Sequence, residues 1–263
     1  MPNASLLRAL PSPEVMKLRL RTFAMLDAIV APETRSFEFH PKWRRGEQLG
    51  AFKDGSGNFF FAWFSSRGAV IRGFDHESPM SPFRKSSPAL WPGLLDGFPR
   101  ALSYANRELA FAQDELTFCL WNTDDEWKSG AAKPPKGRDV DGAERLLACF
   151  RPSFKAWAER YYGQKLDGRA LDRLWWQREP VDDATAAALN PDFDAKAVKE
   201  EVAALGWAAQ REFGEAEFTV RCEPTFVALI ANGKVVTKLN EDVYEELYDF
   251  VHARLSKKNS RDV

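Results

Sequence analysis

The sequence predicts an α+β protein: an antiparallel N-terminal sheet with flanking helices, then a mainly helical region carrying a small C-terminal sheet. Three observations predict it. Apolar residues recur at helical spacing from Val15 to Ile29. Turn signals at 54–58 and 65–68 separate short aromatic and β-branched runs, the pattern of a meander. Beyond residue 139, Leu147, Phe150, Phe154, Trp157 and Tyr161 stand three and four apart, as on a packed helix face.

The elements follow in order. Ser12-Pro13 reads as an N-cap with proline at the first helical position. The helix it opens carries Val15, Leu18, Leu26 and Ile29, widened by Met16, Leu20 and Phe23, and ends before Pro32. So wide an apolar face predicts packing on more than one side. Phe37 and Phe39 alternate with Glu38 as in a half-buried strand. Asp54-Gly55-Ser56-Gly57-Asn58 is a tight turn between strands at 48–53 and 58–64, and a turn at 65–68 leads into a strand at 69–74.

From Asp75 to Pro99 five prolines rule out a helix interior or a central strand. Met80, Phe83, Leu90, Trp91, Leu94, Leu95 and Phe98 make this an ordered, packed loop, and long loops of that kind often carry function. Pro99 to Phe111 reads as a helix, Leu116 to Trp121 as a buried strand, and 122–130 as an acidic loop or turn. Residues 131–138, with Lys133-Pro134-Pro135-Lys136-Gly137, form the best linker candidate. It would divide the chain into 1–130 and 139–263, although the two parts could pack as one continuous domain. Pro152 should break the helical stripe. Short helices follow at 170–177, 185–189 and 195–205, the last closed by Gly206. Phe218, Val220 and Cys222 alternate, Asn232-Gly233 signals a hairpin, and Asn240 caps a last helix running towards Arg254.

Composition narrows the function classes. A formal net charge of −1 gives no concentrated positive field for nucleic acid or an acidic membrane. Lys42, Arg44 and Arg45 cluster, but in one turn they read as a solvated surface. Cys119, Cys149 and Cys222 are odd in number and far apart, which fits buried thiols in a reducing cytoplasm rather than disulfides or zinc. No run is long and apolar enough to span a bilayer. Neither a Gly-x-Ser-x-Gly elbow, nor a Walker loop, nor a dinucleotide fingerprint is present, so no cofactor is expected.

The candidate chemistry lies at the strand-to-loop junction Asp75-His76-Glu77-Ser78. Two carboxylates flank an imidazole. If the chain curls there, the three can converge, joined by Asp124, Asp125 or Glu126 from the acidic loop. Carboxylate plus imidazole suits a divalent metal, giving a metal-dependent hydrolase as one reading. The other is that these side chains hydrogen-bond and cap the backbone of a long loop.

Two resemblances add to this. The strings Asp54-Gly55-Ser56-Gly57-Asn58, Gly73-Phe74-Asp75-His76-Glu77-Ser78, Trp91-Pro92-Gly93 and Thr117-Phe118-Cys119-Leu120-Trp121, with Trp127, look like those of a group of uncharacterised bacterial proteins. The Gly-rich turn and the Asp-His-Glu after a strand resemble SMI1/KNR4-type modules, many of which are bacterial immunity proteins that bind and block toxins. This implies a protein-binding module, with Asp75, His76, Glu77, Ser78, Trp91, Trp121, Asp124, Asp125 and Trp127 as binding candidates. Glu223-Pro224-Thr225-Phe226-Val227 with Asn232-Gly233-Lys234 and a terminal helix is similar to the second half of a thioredoxin fold. A plain hairpin and helix carries the same pattern, and without a Cys-x-x-Cys the redox chemistry does not carry over.

Overall fold

The computed structural model describes residues 4–84, 86–124, 126–150, 154–176 and 181–207, and three strands beyond residue 217. They fall into two compact units, Met1–Arg211 and Glu212–Val263. The predicted α+β class holds.

The first unit is built on a six-stranded antiparallel sheet in sequential order. Its strands are β1 (Phe37–Arg44), β2 (Glu47–Lys53), β3 (Phe59–Ser65), β4 (Gly68–Phe74), β5 (Phe118–Asn122) and β6 (Trp127–Ser129). β1 continues through Pro41 with a register shift between His40 and Arg44. Proline is tolerated there because β1 lies at the sheet edge, where no ladder donor is lost.

Side-chain alternation divides the sheet into two faces. One face carries Phe37, Phe39, Phe52, Phe60, Ala62, Phe64, Ile71, Phe118 and Leu120, all in the main core. Helix α1 (Ala4–Ala9) adds Leu6 and Leu10 follows it. Over this face lies α2 (Pro13–Val30), capped by the Ser12 hydroxyl, with Phe23 stacked on Phe37 at 4.5 Å. Gly50 permits that approach, since a Cβ there would sit 2.5 Å from Leu20 Cδ1. The helices α3 (Ala143–Leu146), α4 (Phe154–Tyr162), α5 (Gly168–Trp176), α6 (Asp183–Leu189) and α7 (Ala195–Ala204) complete the layer. The same core therefore joins residues on both sides of 131–138. That stretch has no helix or strand; Ala132 is buried and the Lys133 carbonyl accepts from Trp91 Nε1 at 3.0 Å.

As predicted, α2 packs on more than one side, and three of its charged residues, Arg19, Arg21 and Asp27, are buried. The Arg19 guanidinium lies over Trp175 at 4.8 Å and that of Arg21 over Trp207 at 5.5 Å. The flat cations stack on the rings while their stems join the core. Asp27 is 1% exposed. Its carboxylate accepts from Ser36 N at 2.7 Å, Phe37 N at 2.6 Å and Tyr162 Oη at 2.7 Å, tying α2 to the start of β1 and to α4.

Two expectations are corrected. Residues 99–111 are not an α-helix but two 3-10 turns, Arg100–Asn106 and Leu109–Phe111. The apolar residues facing the sheet, Leu102 and Ala105, stand three apart, which suits the three-residue turn of a 3-10 helix. The acidic stretch 122–130 holds the short edge strand β6, kept in place by Trp127 Nε1 donating to the Pro11 carbonyl at 2.8 Å. The expected proline-rich loop packs around a small core of Met80, Leu94 and Leu116.

In the second unit β7 (Phe218–Glu223), β8 (Phe226–Ala231) and β9 (Lys234–Leu239) form an antiparallel meander, as predicted. The Asn232-Gly233 turn and the helix expected from Asn240 lie outside the described residues.

Candidate functional site

The β3–β4 hairpin positions the site. It closes at Ser65 and Gly68, and its register sets Phe59 opposite Phe74. The Asp54–Asn58 turn therefore lies beside the junction at Asp75–Ser78. Within the turn, Asp54 accepts from Ser56 N, Asn58 N and Asn58 Nδ2. Burial pushes the Asp54 carboxyl up, but these hydrogen bonds, first that of the Asn58 side chain, outweigh it and hold it below its ordinary value.

Asp75 is committed to structure. Its Oδ1 accepts from Glu77 N at 3.0 Å, and its Oδ2 pairs with an Arg145 guanidinium nitrogen at 2.9 Å. Gly142, at φ +75°, gives it room, because a Cβ there would lie 2.5 Å from Asp75 Cβ. Burial disfavours the Arg145 charge. The hydrogen bond and charge of Asp75, with Asp54 and Asp139 nearby, more than offset that and raise its pKa. Ser78 is structural as well: Oγ donates to the Val140 carbonyl at 2.6 Å and accepts from Met80 N at 2.9 Å. Arg84 donates to the carbonyls of Glu77 and Ser78. The capping reading thus describes Asp75 and Ser78.

His76 and Glu77 are exposed. The His76 ring turns away from both carboxylates to meet Asn58 Oδ1 through Nδ1 at 2.9 Å. The expected convergence of Asp75, His76 and Glu77 does not occur, because Asp75 spends its oxygens on Glu77 N and Arg145. The acidic loop is also remote. β4 and β5 pair from Gly73↔Phe118 to Ala69↔Asn122. Asp75 follows one end of this ladder and Asp124 the other, with roughly 13 Å of paired strand between. Asp124 instead pairs with Lys128 at 3.4 Å, and Asp125 lies outside the described residues. Among the described residues no group of three or more His, Cys, Asp or Glu side chains could hold a metal ion.

The three tryptophan candidates serve packing. Trp121 is 3% exposed and meets Phe98 edge-on at 5.3 Å. Trp127 is 7% exposed in the main core, and Trp91 is half-buried against the proline-rich loop.

What the sequence reading missed is a row of phenylalanines on the second face of the sheet. Under the 3-10 turns that face is covered: Leu49, Trp63, Val70, Cys119 and Trp121 pack with Leu102, Ala105 and Phe111. Burial pushes the Cys119 thiol up to about 12, so it is an inert apolar group. Beyond the cover runs an aromatic row. Phe61 contacts Phe59 at 5.4 Å, Phe59 contacts Phe74 at 5.5 Å, and Phe74 meets Phe83 edge-on at 5.8 Å. Phe59 and Phe61 are half-buried, and Phe83 is 54% exposed. Lys53 lies over Phe61 at 5.9 Å. His76 follows Phe74, a member of the row, by two residues. The available signal was Phe83 itself, a large apolar residue in a loop of prolines and serines.

Comparison of the chain with protein-family models, curated proteins and solved structures gave no match. Among the described residues no helix is long and apolar enough to cross a membrane.

Proposed function

We propose that this chain is a protein-binding module whose contact surface is Phe59, Phe61 and Phe83, seated on the buried Phe74 and bordered by His76 and Glu77. The observation that carries the reading is Phe83, an aromatic side chain 54% exposed at the end of a row of rings in contact. Contiguous exposed apolar surface edged by polar groups marks interaction sites, and aromatic anchors supply most of the affinity at interfaces. Phe59, Phe61 and Phe74 stand on β3 and β4 inside the sheet, and Phe83, on the 3-10 turn Pro82–Arg84, rests edge-on against Phe74, so the sheet part of the surface is rigid before binding and loses little entropy on association. The resemblance of the 54–58 turn and the 73–78 junction to SMI1/KNR4-type modules supports an immunity-like role, in which the bound protein is a toxin.

The test is affinity capture from the native host with the wild-type chain and with a Phe59→Ser, Phe83→Ser double variant. A partner enriched by the wild type and lost from a folded variant is expected. Enrichment of the same partner by both chains, or of none by the wild type, refutes the reading.

A further inference from the structure

The hydrogen bonds around His76 define its tautomer. Asn58 Oδ1 lies 3.0 Å from His76 N and 2.9 Å from His76 Nδ1. A backbone N–H only donates, so the Asn58 atom facing it is the oxygen. The far end of the amide agrees: Asn58 Nδ2 donates to Asp54 Oδ2 at 2.6 Å, and a carboxylate only accepts. An oxygen facing Nδ1 requires the hydrogen on Nδ1. Neutral His76 therefore carries its lone pair on Nε2, on an exposed ring. Asp54, Asn58 and His76 form a relay in which a carboxylate orients an amide and the amide orients an imidazole. Asn58 is itself buried, so the relay is fixed from below.

The charges at this corner are Asp54, Asp75, Glu77 and Asp139 against Arg84, Arg145 and Lys53, the last paired with Glu38 at 3.8 Å. Asp75 pairs with Arg145, whose backbone N–H also donates to Asp139 at 2.9 Å. Arg84 sits on the Glu77 carbonyl at 2.7 Å. The balance is acidic, and the acceptor Nε2 belongs to an exposed ring two residues past Phe74.

We infer that this corner takes a cationic hydrogen-bond donor, a lysine or arginine side chain of a partner protein, on Nε2 of His76, with an adjacent apolar residue of the partner resting on Phe83. The inference rests on the protein-binding reading above and adds the partner's chemistry. An acceptor held in one tautomer among carboxylates complements a positively charged donor and discriminates against an acidic segment.

The experiment uses the full chain and two short peptides, acetyl-Gly-Lys-Leu-Lys-Gly-amide and its counterpart with glutamate for lysine. Long-range 15N–1H NMR of the imidazole reports the tautomer. Titration of each peptide reports binding through the His76 and Phe83 resonances. The Nδ1–H pattern is expected, with the lysine peptide shifting both residues and the glutamate peptide shifting neither. His76→Asn keeps an N–H near the place of Nδ1–H and removes Nε2; it should weaken the lysine peptide about tenfold. An Nε2–H pattern overturns the inference. So does a lysine peptide that fails to bind, a glutamate peptide that binds equally, or a His76→Asn chain that binds as tightly as wild type. Phe83→Ser separates the two readings. If it binds the lysine peptide as tightly as wild type while His76→Asn does not, the phenylalanine row fails and the His76 acceptor stands.

Discussion

Asp27→Asn tests the energetics of the helix–sheet junction. Burial raises the Asp27 carboxyl from an ordinary 3.8 to about 6, against the lowering effect of its hydrogen bonds from Phe37, Tyr162 and Ser36. Burial also raises Tyr162 well above its ordinary value, so that hydroxyl stays protonated and donates. A carboxyl whose folded pKa lies above its unfolded one binds its proton more tightly in the folded state. Its stabilising contribution is full below pH 3.8 and is lost as pH rises through about 6. The interval corresponds to about 3 kcal/mol. Asparagine fits the same contacts: its oxygen faces the two backbone N–H groups, and its amide N–H can donate to the Tyr162 oxygen. The stability of Asp27→Asn relative to wild type should therefore rise by about 2 kcal/mol from pH 4 to pH 7, since part of the interval is already lost at pH 4. Urea unfolding followed by tryptophan fluorescence measures this in the first unit, because all nine tryptophans precede residue 212. A difference that stays flat with pH, or falls as pH rises, refutes the reasoning.

Other perturbations have distinct signatures. Gly142→Ala should cost about 2 kcal/mol or more, because it strains φ +75° and meets Asp75. Gly46→Ala, at φ +72° with nothing within 4 Å, should cost about 1 kcal/mol, so equal thermal shifts would discount the clash. Phe37→Ala should lose about 3–5 kcal/mol, whereas Phe83→Ser should change stability by less than about 0.5 kcal/mol; denaturant midpoints decide. Arg72 is buried, donates to the Ala105 carbonyl and has no partner at Nε. Arg72→Met should lie within about 1 kcal/mol of wild type, since desolvating that charge offsets much of what it gains. A loss above 3 kcal/mol in chemical denaturation would show that the guanidinium is matched.

The core was legible because periodicity reports burial directly. The Ser12-Pro13 start, the turns at 54–58 and 65–68 and the return strands near 218–239 all appear where local chemistry dictates them. The segment 99–111 was not, since Leu102 and Ala105 satisfy helical and 3-10 spacing about equally well. Only the sheet surface beneath them selects the tighter turn. β6 was not legible either: three residues carry no period, and its place depends on Trp127 reaching the Pro11 carbonyl across 116 positions. Nor does a sequence report which rings stay bare. Phe60 and Phe61 are adjacent and chemically identical, yet Phe60 lies under α2 and Phe61 on the half-open face.

The polar corner was closer to legible than either, through register. A hairpin closing at Ser65 and Gly68 pairs residues whose numbers sum to a constant, which sets Phe59 against Phe74. Extending that rule by one and two positions brings Asn58 beside Asp75 and Gly57 beside His76. Gly57 does lie there, as a Cβ on it would be 3.7 Å from the His76 ring. The same arithmetic on β4 and β5 sends the acidic loop to the far end of the sheet. Composition proposed carboxylates as partners for His76 because they are the usual ones. Topology supplies an amide instead, held by a carboxylate one step further back. That substitution changes the chemistry: the amide oxygen places the hydrogen of the neutral ring on Nδ1 and leaves Nε2 an acceptor.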